Sequence, residues 1–274
     1  NKEFYQYIIS NGIYTNFPEI IEFHTGIDRN SSDMIKVLTK DLSNQCDIVE
    51  EKSGLTVDFN PLEAIEWNPT KEHLEEAKKL INSEALNSNL PNSLKDEYAD
   101  KNYSYAKPFN QNISNIFEEF TFLVLKQKIS ASSRALRNSD YISPLEKKNL
   151  LKQITRGWSL FSKILFVLSP AMAKNDQASF DGISFVLVGF DDKNIDEKIK
   201  QVIMTNPTFV VSFFKDDLFA PKSAPLLYDA INSEDNKLIK HELILLLIYG
   251  RPHKWKHHIK NYISNLPRNS PYLL

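Results

Sequence analysis

Residues 143–174 read SPLEKKNLLKQITRGWSLFSKILFVLSPAMAK, one of the two strongest helical stretches in the chain. Ser143 offers a hydroxyl to cap the first free N–H groups. Pro144 suits the first helical position, where its missing N–H costs nothing. Glu146 completes a capping box. Apolar residues then recur at helical spacing as far as Lys174. Pro170 falls inside this pattern and is expected to kink or end the helix, because it donates no hydrogen bond.

Working outward, the same periodicity continues in both directions. Upstream, about Ile113 to Arg137 forms the other strong helix, and Thr70 opens one with Leu74, Ala77, Leu80 and Ile81 on a single face. Ser31-Ser32-Asp33 caps a long amphipathic run that Gly54 ends, and Pro18 opens a helix that Gly26 stops. Downstream come helices at Ile195–Thr205, Pro207–Phe219, Ser223–Asn232, Glu234–Tyr249 and His253–Leu266. Tight turns join the last four, a rhythm that resembles stacked helical hairpins in α-solenoids. The exception is FDGISFVLVGF at 180–190, a β-branched run between glycines. A lone strand is unstable and no second strand stands out, so helix is the expectation there too.

The expected fold is therefore all-α: a multi-helix array of packed hairpins, solenoid-like, in two halves. Residues 1–90 form an N-terminal helical subdomain and 112–274 a C-terminal one. The polar, tyrosine-rich stretch 91–111 connects them, with Tyr98, Tyr103, Tyr105 and Phe109 expected to pack.

Composition bounds the function. At 42% hydrophobic and 25% charged, the chain can bury a core and is not disordered. A net charge of −2 argues against a general nucleic-acid coat, so any such role sits in a local patch. The single cysteine, Cys46, permits no intrachain disulfide and fits a reducing cytoplasm, where it reads as a small buried hydrophobe. No apolar run approaches the ~20 residues that span a bilayer, so no membrane role is expected. The chain starts at Asn1 rather than Met, which suggests a fragment of a longer parent. With only 7 glycines and no phosphate loop, CxxC, HExxH or GxSxG, no cofactor and no nucleotide site are expected.

Four constellations could carry chemistry. From 240 to 274 there are six basic residues, Lys240, Arg251, Lys254, Lys256, Lys260 and Arg268, against Glu242 alone. Lys254, Trp255, Lys256 and Lys260 could bind nucleic acid through phosphates and stacking. His253 and His257, at i and i+4, have a zinc-compatible spacing but no nearby carboxylate or cysteine, so no metal is expected. Asp191-Asp192 and Asp216-Asp217 are adjacent pairs that do not face each other on a helix; the second pair reads as a solvent edge. Arg134 and Arg137 share a helix face and read as salt-bridge partners of acidic helices.

Two resemblances follow. Arg251 with His257 or His258 resembles the R-x4-6-H spacing of HEPN-type ribonucleases. That resemblance implies metal-independent RNA cleavage, with histidine moving a proton and arginine holding a phosphate. Pro252 directly after Arg251 places the arginine ahead of the helix. More broadly, GIDRNSSD (26–33), SSRALRNSDY (132–141) and SFFKDDLFAPKSAPLLYD (212–229) resemble the helical region of bacterial STAND-type and related P-loop ATPases, including antiphage defence proteins. This implies a helical portion that binds no nucleotide, and no catalytic residue carries over. The leading expectation is a non-catalytic interaction or regulatory region contacting a partner protein, or another domain of its own parent. The alternative is an RNA-binding or RNA-cleaving module on the C-terminal basic helix.

Overall fold

The Ser143 hydroxyl accepts from the Glu146 N–H at 3.3 Å and donates to the Glu146 carboxylate at 3.1 Å, so the helix starts where the sequence marks it. The computed structural model describes residues 2–27, 31–90, 95, 122–180, 183–186, 188 and 193–273; these form eleven α-helices and one two-stranded sheet, and helix makes up 77%. The fold is all-α in the broad sense. The helices are α1 (Lys2–Ser10), α2 (Ile13–Asn16), α3 (Pro18–Ile27), α4 (Ser32–Ser53), α5 (Lys71–Asn87), α6 (Phe122–Asn138), α7 (Pro144–Asn175), α8 (Ile195–Leu218), α9 (Ala224–Ser233), α10 (Lys237–Gly250) and α11 (Trp255–Ser264). The expected connector 91–111, apart from Lys95, lies outside the described residues, as do the proposed start of α6 at 113–121 and Asp191-Asp192.

Three points bear on the expectations. First, α7 runs to Asn175, matching the expected helix 143–174, and Pro170 does not end it. A proline at 170 leaves the Phe166 carbonyl without its usual donor. The buried Ser169 hydroxyl donates to that carbonyl at 2.7 Å and takes the place of the missing bond. Second, Ile195–Thr205 and Pro207–Phe219 are one helix, α8, with Pro207 inside it. Ile199, Ile203, Asn206, Val210, Phe214 and Leu218 are all buried, so one stripe crosses the proline without losing phase. Third, part of 180–190 is strand. β1 (Gln177–Phe180) pairs antiparallel with β2 (Ile183–Val186), with Ala178 opposite Phe185 and Phe180 opposite Ile183.

The chain divides into two compact units, each drawn from three separated stretches. Unit 1 comprises Asn1–Asp47, Val124–Phe161 and Pro207–Ser264. Its core centres on fully buried Trp158 from α7, stacked on Phe214 from α8 at 6.0 Å, with Phe161 edge-on to Phe214 at 5.5 Å. Gly157 lets α6 come close: a Cβ there would lie 2.7 Å from Ile129 Cδ1. A buried phenol, Tyr14, donates to Asp41, which Lys128 pairs at 2.9 Å; burial, and then the Asp41 charge, push the phenol pKa far up.

Arg134 and Arg137 bind the acidic groups around them. Arg134 pairs with Asp217 at 2.6 Å and Glu19 at 3.1 Å, while Arg137 pairs with Glu22 and donates to the Asp216 carbonyl. Asp217 also accepts from Ser130, so it is a network member rather than a solvent edge. Asp217→Asn is expected to cost about 1–2 kcal/mol in urea denaturation, since it strips the charge from two hydrogen bonds at a largely buried site. Glu19→Gln is expected to cost under about 0.5 kcal/mol, because the Glu19 side chain is 70% exposed and screened by water.

Unit 2 comprises Ile48–Leu123, Ser162–Asn206 and Asn265–Leu274. Thr70 and His73 cap α5 reciprocally, with the imidazole Nδ1 standing where a glutamate would in a standard box. Leu74, Ala77 and Ile81 are buried on that helix, whereas Leu80 is exposed. The last residues are anchored. The Trp67 N–H donates to the Asn269 carbonyl at 2.9 Å, and buried Tyr272 donates to Glu63 and accepts from Asn60 at 2.8 Å.

Candidate docking face and basic surface

Two surfaces of unit 1 stand apart from the rest. The first is apolar. Helices α1 and α3 meet where the Phe4 and Tyr5 rings pack on His24, each at 5.5 Å. Phe4 and Tyr7 lie three residues apart on α1, and Phe23 and Ile27 four apart on α3, so each pair shares a helix face. Tyr7, Phe17, Phe23 and Ile27 expose 62%, 58%, 70% and 64% of their surface, and Phe4 is exposed as well. Residues 1–27 hold one lysine, Lys2, and no arginine. The sequence reading did not single out these residues. The available signal was the aromatic density of Glu3–Ser10, but density alone does not say which rings point outward.

The second surface holds the residues that the sequence did single out. Arg251 caps the C-terminus of α10 in a left-handed conformation (φ 47°), and its N–H donates to the Leu247 carbonyl at 2.8 Å. It thus lies before α11, which begins at Trp255, and not on the helix that carries His257 and His258. Its guanidinium sits 6.0 Å from the Trp255 ring centre, and Lys256 Nζ is 5.7 Å from the same ring. The His253 carbonyl accepts from the Tyr228 hydroxyl. His258 lies flat on Tyr228, 3.9 Å between ring centres and 5° from parallel. Burial pushes its pKa down, and the neighbouring His257 and Lys254 push it further. His257 Nε2 is 3.1 Å from Asn261 Nδ2. Lys254, Lys256 and Lys260 are exposed.

Two concave regions among the described residues have their polar groups engaged in caps and ion pairs. A hollow of about 770 Å³ in unit 2 lies between the N-termini of α5 and α8, beside Lys71, Asp196 and Lys200. Thr70 and Asn194 cap those helices, and Asp196 is paired with Lys78 at 2.9 Å. A groove of about 300 Å³ in unit 1 lies between α4 and α7, where Glu146 pairs with Lys36 at 3.2 Å and accepts from Ser32 at 2.5 Å. The Ser32 hydrogen bond holds the Glu146 carboxyl below its ordinary pKa. Among the described residues no group of three or more His, Cys, Asp or Glu side chains gathers to hold a metal. Cys46 is buried. Among those residues no helix is long and apolar enough to cross a membrane. Comparison with protein families, with curated proteins and with solved structures finds no match.

Proposed function

We propose that this chain is a non-catalytic helical interaction region that docks a partner protein on the aromatic face of α1–α3, within the larger bacterial defence setting that its resemblance implies. The observation that supports this is the concentration of exposed Phe4, Tyr7, Phe17, Phe23 and Ile27 in the first 27 residues. Isolated exposed apolar residues are ordinary, whereas a cluster of large rings costs solubility unless something covers it. Tyrosine and phenylalanine are enriched in protein interfaces, and charged residues are depleted from interface cores. Lys2 is the one lysine or arginine in residues 1–27, and the arginines that reach α3, Arg134 and Arg137, are paired with Glu19 and Glu22, so a phosphate backbone is a poor occupant.

A photo-crosslinking amino acid at Tyr7 or Phe23 in the full-length protein, expressed in its own cells, tests this. The expected result is an adduct with one polypeptide from both positions and none from exposed Trp67 or Tyr141. Phe23→Glu should reduce the Tyr7 adduct by roughly tenfold or more, as loss of an interface anchor does, with helix content unchanged. Equal adducts from all four positions, or adducts with a second copy alone, would remove this reading.

A further inference from the structure

We infer that the turn between α10 and α11, together with the outer face of α11, binds the phosphate backbone of nucleic acid without regard to sequence. The site is separate from the aromatic face and goes beyond the docking role.

Four cations carry it: Arg251, Lys254, Lys256 and Lys260. All are exposed, and among the described residues none is paired with a carboxylate. Elsewhere in unit 1, Arg134, Arg137, Arg156, Lys128 and Lys222 are each bound to an acid, while Lys40, Lys148 and Lys152 lack one among the described residues, so what sets this segment apart is the spacing of its four cations with no exposed acid between them. Between 237 and 264 the one acidic residue is Glu242, and it is fully buried. The acids just before α10 are Glu234 and Asp235, and the Glu234 carboxylate already accepts from the Asn236 N–H at 2.9 Å. The local surface is therefore strongly positive although the chain as a whole carries −2.

The backbone adds a second observation. Arg251 and Lys254 both adopt positive φ, at 47° and 64°. Glycine is the ordinary residue there, and a side chain costs roughly 1 kcal/mol. The turn thus keeps long cationic side chains at two positions where the backbone favours none.

The rest of the surface decides what kind of polyanion fits. Lysine is depleted from protein interfaces, which need an apolar centre. The exposed large apolar side chains flanking this stretch are Tyr249 and Ile263, at 44% and 37%, and the Tyr249 ring is already covered by Lys215. An acidic protein would find charge there but little to bury. A bilayer is also a poor match. Trp255 and Ile259 are half-buried and Tyr262 is buried, so of the apolar residues on α11 only Ile263, 37% exposed, is left to insert. A phosphate chain needs neither, because cation contacts and counterion release supply its binding. The aromatic rings account for the lack of sequence preference. Trp255 has Arg251 and Lys256 beside it, and the Tyr228 and His258 rings are stacked on each other, so these rings are already engaged. The rings fix the positions of the cations and leave the bases unread.

Fluorescence anisotropy with labelled, mixed-sequence ~20-nucleotide strands of RNA and DNA tests the inference, read from about 50 to about 200 mM salt. Four phosphate contacts on a single strand give a log–log salt slope near about −3. RNA and DNA, and scrambled sequences of each, should bind within about threefold of one another, since no base is read. Combined Lys254→Ala, Lys256→Ala and Lys260→Ala should flatten the slope to about −1 and weaken low-salt binding by roughly tenfold or more. The corresponding triple arginine variant should keep both. Tyr7→Glu with Phe23→Glu should leave the slope unchanged, which separates this site from the docking face. The inference is overturned if neither strand binds at low salt, if the slope survives the triple alanine change, if Lys→Arg also abolishes binding, or if phosphatidylserine vesicles bind while nucleic acid does not.

Discussion

Trp158→Ala lowers the stability of unit 1 by about 3–5 kcal/mol, the range for removing a large aromatic side chain from a closed core. Trp158 is fully buried on α7 and stacks on Phe214, which in turn meets Phe161 edge-on. Removing the indole therefore leaves a cavity bordered by rings that cannot all relax into it. Trp158→Phe should behave differently. The indole N–H is buried and finds no acceptor among the described residues. Phenylalanine discards that unsatisfied donor, which offsets part of the lost volume, so the expected loss is only about 1–2 kcal/mol. Urea denaturation followed by circular dichroism measures both. If the two variants lose the same amount, ring volume does not govern this core.

The main helices of this fold could be read from the chain because their signals are local. The Ser143 cap and the Thr70 cap appear in the structure where the sequence marks them, although of the two only Thr70 has the full reciprocal box, with His73 as its partner. The errors arose where a distant or non-standard group changed a local rule. Pro170 does not end α7, because the Ser169 hydroxyl supplies the donor that the proline lacks. Pro207 sits in α8 between buried Ile203 and Val210, and the energy of that continuous stripe outweighs one missing hydrogen bond. The hairpin is hard to read because its first strand, QASF, is only four residues long and half polar. The Asp181-Gly182 dipeptide between the strands in sequence was the signal available for it.

The candidate surfaces show the same division. That Arg134 and Arg137 share a face follows from their spacing, but their partners Glu19, Glu22 and Asp217 lie some 80 to 115 residues away along the chain. The position of Arg251 ahead of α11 was legible from Pro252. The pairing of His258 with Tyr228 was not, because the contact joins α9 to α11 across α10. The aromatic face of α1–α3 was hidden for a general reason. Phenylalanine and tyrosine raise the expectation of burial wherever they occur, and only tertiary packing reveals which ones stay outside.

Acid should destabilise unit 1 through His241, by about 3 kcal/mol between neutral pH and pH 4. The imidazole is buried on α10, with its Nδ1 3.1 Å from the Tyr262 hydroxyl. Burial pushes its pKa down from 6.5 to about 4. The unfolded chain titrates near the ordinary value, so between pH 6.5 and 4 the unfolded state holds a proton that the folded state excludes. The contribution is complete above pH 6.5, declines as pH falls through that window, and is gone below about pH 4. Depressed carboxylates such as Glu146 act in the same direction, so the wild-type curve alone cannot isolate the histidine. His241→Asn can, because its amide sits near the Nδ1 position and does not titrate. The variant is less stable at pH 7, where it loses the packed ring. Its deficit relative to wild type should shrink by about 3 kcal/mol when urea midpoints are compared at pH 7 and pH 4. A deficit that stays constant across that range would mean His241 carries a proton in the folded state. In that case α10 would hold a cation next to Leu243, Ile244 and Leu247, a burial cost that no apolar contact there could offset.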